Sequence, residues 1–333
     1  MTTPRISVIL NSFNQGAYLR EAVESVLAQT LDDFELIVTD NGSTDETATV
    51  LSKYSRHPKI RMYLHAHNEA VTRRFNQAIA SARGEFVSFL YSDDYYLPTK
   101  LARQIEMFDR LGADYGVVYG PASGLNDVTG ERWTHGSIGA SGHILRELFL
   151  EHERGQIDMV SPMTRRVCFS RYPFDESIFA EGEAIFYRIA MTYKFQYLDE
   201  PLAVLRDHRA NAGKAIRRNA DMTMTWIDRI ATHPDFPGGY EPLVRSYRAK
   251  VLRNYGWQAV RTGGDVAWAR ACFQRSVRVG WQQAVHPRLF AGVLLSFAPQ
   301  GLRRHVNRLA DTALRHRHNS VQVADFGGSA DKT

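Results

Sequence analysis

Residues 84–101 read GEFVSFLYSDDYYLPTKL. The run EFVSFLY (85–91) is apolar without strict alternation, the pattern of a strand buried on both faces of a parallel sheet. Its carboxyl end delivers Ser92, Asp93 and Asp94. Pro98 suits the first turn of a helix, and after it Leu101, Ile105 and Phe108 share one helical face before YGVVYG (115–120) returns as a strand. A buried strand that ends in carboxylates and feeds a helix is one unit of an α/β sheet.

The same unit recurs upstream. RISVIL (5–10) precedes a helical face formed by Leu19, Ala22, Val23, Val26 and Leu27. FELIVT (34–39) runs into DNGSTDET, where Ser43 and Glu46 have capping-box spacing for a helix through Tyr54. KIRMYLH (59–65) is a third strand, followed by a helix over 70–82 that ends before Gly84. The fold class is therefore α/β, a doubly wound and mostly parallel sheet. Ligands of such sheets bind beyond the carboxyl ends of the strands, so Asn11–Asn14, Asp40–Ser43 and Ser92–Asp94 should share one crevice.

Downstream, residues 121–160 read as an irregular glycine-rich loop region, and short strands with one helix return over 164–205. Beyond about 214 the spacing is purely helical, over 220–231, 241–262 and 265–279, with Gly263-Gly264 as a turn. A boundary near 211–218 divides the chain into a part over 1–213, a basic helical extension over 214–318 and a small polar tail over 319–333 that reads as disordered.

Composition narrows the function. With 333 residues, 44% hydrophobic and 23% charged, the chain is neither a disordered polymer nor a disulfide-stapled miniprotein. Cys168 and Cys272 allow no disulfide framework and sit in no metal-binding cluster. The N-terminus lacks the pattern of a secretory signal, and no apolar run reaches the roughly 18 residues of a membrane span; a cytoplasmic location is the expectation. GxGxxG and GxxxxGKS are both absent, which removes the dehydrogenase and P-loop readings. The net charge of +5 conceals a split: residues 1–210 hold 22 Lys and Arg against 28 Asp and Glu, and residues 211–333 hold 19 against 8. Aromatics do not interleave with the C-terminal arginines, so nucleic acid is not an expected partner.

Adjacent Asp93 and Asp94 suit Mg²⁺ or Mn²⁺, hard cations that bridge carboxylates and phosphate oxygens; the plain alternative is a turn that caps the next helix. The surrounding blocks weigh on that choice. ISVILNSFNQGAYLREAVESVLAQT, FELIVTDNGSTDET, GEFVSFLYSDDYYLPTKL, FDESIFAEGEAIFYRIA and PLAVLRDHRAN occur in this order. Over roughly residues 5–210 the chain resembles the family 2 glycosyltransferases of GT-A fold.

That resemblance implies an inverting, metal-dependent enzyme that takes a sugar from a nucleotide-sugar donor, UDP- or dTDP-linked, to a hydroxyl of a saccharide or lipid-linked acceptor, in surface polysaccharide or glycoconjugate assembly. It implies donor contacts from Asn11, Phe13, Asp40, Asn41, Ser92 and Asp93, with Arg73 or Arg74 facing the diphosphate, and Mn²⁺ or Mg²⁺ held by Asp93, Asp94 and His208. The general base is Glu183 or Glu181: the family acid lies six or seven residues before the helix arginine, here Arg188, which by strict spacing is Glu181, whereas helix phase with a one-residue shift at Gly182 gives Glu183. Asn41, Tyr91 and Gly182 depart from the common pattern, and the alternative is a catalytically silent nucleotide-sugar-binding or scaffold protein of the same fold.

LFAGVLLSFA (289–298) is followed by Arg303, Arg304, His305, Arg308, Arg315 and Arg317. It is too short to span a bilayer, but an apolar segment beside clustered cations is the pattern of an anchor on an anionic leaflet. The segment 289–317 therefore gives an anionic membrane surface as an expected partner, with the enzyme peripheral on the inner face. Packing of 289–298 on the rest of the chain or on a second subunit is the alternative.

Overall fold

The computed structural model describes residues 3–208, 211, 215–262, 264–306 and 309. In chain order the first elements are β1 (Ile6–Ser12), α1 (Gly16–Leu27), β2 (Phe34–Asp40), α2 (Thr47–Ser52), β3 (Ile60–Leu64), α3 (Val71–Ser81) and β4 (Phe86–Tyr91). Then come β5 (Tyr95–Tyr96), α4 (Lys100–Phe108), β6 (Tyr115–Tyr119), β7 (Ser123–Asn126), β8 (Arg132–Thr134), α5 (Leu145–Leu150) and β9 (Met163–Arg165). α6 (Arg166–Arg171), α7 (Ala184–Ile189), β10 (Lys194–Tyr197) and β11 (Ala203–Asp207) complete the α/β part, and α8 (Ile216–Ala231), α9 (Glu241–Arg261), α10 (Val266–Val279) and α11 (Pro287–Leu295) follow.

The main sheet has seven strands in the order β10-β6-β9-β4-β1-β2-β3. β1 pairs in parallel with β2 and β4, β2 with β3, and β10 with β6. β9 alone runs antiparallel, wedged between β4 and β6. The period of two along each strand sorts side chains into two cores. Val8, Leu10, Leu36, Val38 and Leu90 face one layer with Leu19, Val23, Leu101 and Phe108 of α1 and α4. Ile9, Ile37, Val87 and Phe89 face the other with Phe75 and Ala78 of α3 and the α5–α7 segment. Each such aliphatic side chain contributes roughly 1.5–3 kcal/mol by leaving water, which is why these strands read as continuous apolar runs.

A second sheet, β5-β11-β7-β8, stands beyond the carboxyl ends of the first. β5 follows directly after Asp94 and pairs antiparallel with β11 through Ala203–Tyr96 and Val204–Tyr95, so the end of β11 lies beside Asp93 and Asp94. The region expected to be loop thus contains β7, β8 and α5. The helical extension is continuous with the body, because Trp226, Ile227 and Ile230 of α8 and Tyr247 and Val251 of α9 join the same core as Phe149 and Tyr187. Gly263, in the expected turn, and the tail 319–333 lie outside the described residues, as do residues 212–214 of the expected boundary.

One local expectation is corrected. Ser43 does not cap a helix: its Oγ donates to Asp40 Oδ1 at 2.5 Å, and α2 begins later, with the Thr47 N–H donating to Asp45 at 3.1 Å. The Asp40 carboxylate, at the end of β2 and three residues before Ser43, takes the hydroxyl in place of the helix terminus.

Candidate active site

Asp93 and Asp94 leave β4 at its carboxyl end and are almost buried. Asp93 Oδ2 lies 3.0 Å from His208 Nε2 and accepts from Gln15 Nε2 at 2.9 Å and Asn211 Nδ2 at 3.4 Å. Gln15 is itself fixed by Ser92 Oγ, which donates to its Oε1 at 2.5 Å. The His208 ring packs against Tyr18, with centroids 4.8 Å apart. Asp94 Oδ1 accepts the Arg206 N–H at 2.9 Å. Burial, and next the charge of Asp93, push the Asp94 carboxyl well above the ordinary range. Two carboxylates held this close favour a proton or a cation between them.

Arg206, at the end of β11, is the clamp of this turn. Its Nε donates to the Asp93 carbonyl at 3.1 Å, Nη1 to Asp127 at 2.9 Å and Nη2 to Glu21 at 2.5 Å. The fork therefore ties β11 to the Asp93 turn, to α1 and to the loop after β7. Gln15, Arg206, Tyr18 and Asp127 were not singled out in the sequence. The dipeptide Arg206-Asp207 before His208 carries no local signal of such a role, because its partners lie 79 to 185 residues away.

The other expected donor contacts fall around β1 and β2. Asn11 Oδ1 and Ser12 Oγ are buried with no hydrogen-bond partner, although a buried polar atom without a partner costs roughly 1–3 kcal/mol. Phe13 is exposed on the following loop. Asp40 turns its Oδ1 to Ser43. Asn41 is fully employed: Nδ2 donates to Asn68 Oδ1 and the Glu69 carbonyl, both at 2.8 Å, and Oδ1 accepts from Glu69 N and Arg74 Nε at 3.1 and 2.8 Å. A carboxylate here could not donate, which accounts for an asparagine beside Asp40. Arg74 is buried and also donates to Gln77 and the His67 carbonyl. Arg73 pairs at the surface with Glu176 at 3.1 Å and Glu69 at 3.4 Å. Both guanidinium groups are committed to protein partners.

The two candidate bases differ in kind. Glu181 is buried and accepts from Arg188 Nη2 at 2.7 Å and from the Asp175 N–H at 2.9 Å. Glu183 stands at the N-cap of α7, with no ion pair among the described residues. Burial, its first cause, pushes the Glu183 carboxyl up. Gly182 between them has φ +57°, a conformation that glycine adopts without strain. Tyr91 links the two halves of the crevice. Its hydroxyl is raised first by burial and then by the charges of Asp93, Asp94, Glu183 and Asp158, so the phenol stays protonated amid four carboxylates.

No three His, Cys, Asp or Glu among the described residues form a ready metal cluster. Asp93 and His208 touch, and the neighbouring Asp94 turns its Oδ1 to the Arg206 N–H; carboxylate oxygen and imidazole nitrogen are donor types that a divalent cation accepts.

Solved structures share this architecture. S. aureus TarS superposes with a TM-score of 0.58 at 16% identity, covering 91% of this chain and 54% of that chain. TarS 1–349 in complex with UDP-GlcNAc gives 0.54 at 16% identity, covering 84% and 92%. The mannosyltransferase PcManGT from Pyrobaculum calidifontis, in complex with GDP-Man and Mn²⁺, gives 0.60 at 15% identity, covering 93% and 88%. At these identities the likeness concerns the fold, which is GT-A.

In sequence, residues 7–178 match the profile described as Glycosyl transferase family 2, and the chain belongs to that family. It is 33% identical over 219 residues to an uncharacterized glycosyltransferase of Nostoc sp., covering 62% of this chain and 66% of that protein. It is 37% identical over 117 residues to an uncharacterized glycosyltransferase of Rickettsia prowazekii, covering 35% and 36%. The chain thus spans a little under two thirds of the first relative and about a third of the second.

Proposed function

We propose that the chain is an inverting glycosyltransferase that moves a sugar from a UDP- or dTDP-sugar to a hydroxyl of a saccharide or lipid-linked acceptor, in surface polysaccharide or glycoconjugate assembly. The observation that carries this reading is the Asp93–His208 contact at the carboxyl end of β4, beside the unpartnered Asn11 and Ser12, in a chain of family 2. UDP-GlcNAc in the TarS complex and GDP-Man with Mn²⁺ in the PcManGT complex support a nucleotide-sugar donor and a divalent cation.

In this reading Asn11, Ser12, Phe13 and Asp40 bind the nucleoside and Ser92 and Asp93 the diphosphate end. Asp93, with Asp94 and His208 beside it, would hold Mn²⁺ or Mg²⁺, which would supply positive charge toward the leaving diphosphate. Glu183 takes the proton of the acceptor hydroxyl as that oxygen bonds to the anomeric carbon, and the nucleoside diphosphate leaves from the opposite face with the electron pair of the broken C–O bond. Glu181, held by Arg188, is the weaker candidate. The test is nucleoside diphosphate release from a panel of UDP-, dTDP- and GDP-sugars. Release from one donor class that Asp93→Asn abolishes supports the reading, whereas no release from any donor favours the silent scaffold.

The membrane partner rests on α11. Leu289, Gly292 and Leu295 face inward, while Phe290, Leu294 and Phe297 form an exposed stripe with Trp281 and Val285 near it. Arg303 and Arg304 follow; Arg308, Arg315 and Arg317 lie outside the described residues. No helix among the described residues is long and apolar enough to cross a membrane, so the contact would be peripheral, on the cytoplasmic face. Sedimentation with vesicles tests it: binding at low salt only when anionic lipid is present supports the anchor, and no binding removes it.

A further inference from the structure

β9 runs antiparallel to β4, with Ser88 opposite Met163, Val87 opposite Thr164 and Phe86 opposite Arg165. The chain entering β9 therefore arrives from the carboxyl end of β4, where Asp93 and Asp94 leave the sheet, and it carries Asp158. This entry segment is pinned. Ser88 Oγ donates to the Pro162 carbonyl at 3.1 Å and Gln104 Nε2 to the Ser161 carbonyl at 2.8 Å. Asp158 Oδ1 accepts from the Val160 and Ser161 N–H groups at 2.7 and 2.6 Å, an Asx turn that fixes the side chain.

Only one oxygen of Asp158 serves that turn. The carboxylate is half-buried, and among the described residues its Oδ2 makes no hydrogen bond and no cation pairs with it. Burial is the first cause that raises the Asp94 and Glu183 carboxyls and the Tyr91 phenol, and the Asp158 charge adds to all three. Asp158 thus acts at once on the end of the crevice assigned to the diphosphate and on the proposed base, the interval that a sugar must bridge during transfer. The neighbouring cations are occupied. Arg206 serves Asp127, Glu21 and the Asp93 carbonyl, and the fully buried Lys100 donates to Ser88 Oγ and Gln104 Oε1 at 2.9 and 2.7 Å. A sugar here meets carboxylates that accept from hydroxyls, whereas an acidic sugar adds a like charge at close quarters.

We infer that Asp158 accepts a hydrogen bond from a hydroxyl of the sugar being transferred, and that the carboxylates gathered there restrict the donor to sugars without an acidic group. The inference rests on the transferase reading above and deepens it by naming the class of sugar. The test is calorimetry of the full chain with Mn²⁺ and three pairs of donors: UDP-glucose and UDP-glucuronate, dTDP-glucose and dTDP-glucuronate, GDP-mannose and GDP-mannuronate. UDP, dTDP and GDP serve as references. Asp158→Asn keeps an oxygen for the two N–H groups of the turn and removes the charge; Asp158→Ser keeps a shorter acceptor and carries the test if the first variant unfolds. The expected result, in the nucleotide series that binds, is a neutral donor bound about tenfold or more tightly than its uronate, a ratio that the variants reduce to about threefold or less. A uronate bound as tightly as its neutral partner, or a preference that the variants leave unchanged, overturns the inference while nucleotide binding upholds the donor reading. Wild-type protein that binds neither nucleotides nor their sugars overturns both.

Discussion

Glu181 and Arg188 form a 2.7 Å ion pair across one turn of α7 and its entry loop, with side chains only 2% and 11% exposed. The pair fixes the approach to α7, and in the proposed mechanism it leaves Glu183 as the base. A buried pair that loses one partner leaves an uncompensated charge, at a cost of about 3–5 kcal/mol. Glu181→Gln should therefore lower unfolding stability by that order, measured in urea, while the double variant Glu181→Leu/Arg188→Met recovers much of the loss.

Glu183→Gln should behave in the opposite way. It leaves stability and nucleotide affinity close to wild type and lowers transfer by about two to four orders of magnitude. The base must be ionised to act, so the rate falls as pH drops through its pKa. Because burial raises the Glu183 carboxyl, that acid limb should lie above the ordinary glutamate value of about 4.3. A pH–rate profile checks it, and Glu183→Gln should lose the limb along with the rate.

Arg206 acts through Asp93 and Asp94 as a positioning residue. Lysine cannot reproduce a fork that meets Asp127 and Glu21 while its Nε bonds the Asp93 carbonyl. Arg206→Lys should weaken nucleotide binding by about tenfold without unfolding the chain. Calorimetry with the nucleotide, together with circular dichroism, separates these outcomes.

His152, buried after α5, couples stability to acid pH. Its folded-state pKa of about 4 lies below the unfolded value of about 6.5. The unfolded chain therefore takes up the proton first, and stability present above pH 6.5 is lost as pH falls toward 4. Between pH 7 and pH 5 the wild type should lose about 2 kcal/mol more than His152→Gln, measured by urea unfolding at each pH.

Much of the fold was legible because β1, β2 and β4 are buried on both faces and announce it as continuous apolar runs, with helical spacing between them. β9 was not. Three residues carry no period, and its antiparallel insertion between β4 and β6 depends on the neighbours already in place. The second sheet escaped for the same reason, since β5 has two residues and β8 three. Within the site, Asp93 stood out by its place at a strand end, but the distant partners Gln15 and Arg206 did not. Such pairings are set by topology across 78 to 185 residues, and no local pattern encodes them. Likewise strict spacing from Arg188 favoured Glu181 and helix phase favoured Glu183, because neither tells which carboxylate is paired with Arg188.

The most direct measurement is titration calorimetry of the full chain with UDP, dTDP and GDP, each with and without Mn²⁺, repeated on Asp93→Asn. The account predicts binding of one nucleotide that strengthens with Mn²⁺ and is lost in the variant. Nucleotide affinity indifferent to both Mn²⁺ and Asp93, or no binding at all, would contradict it.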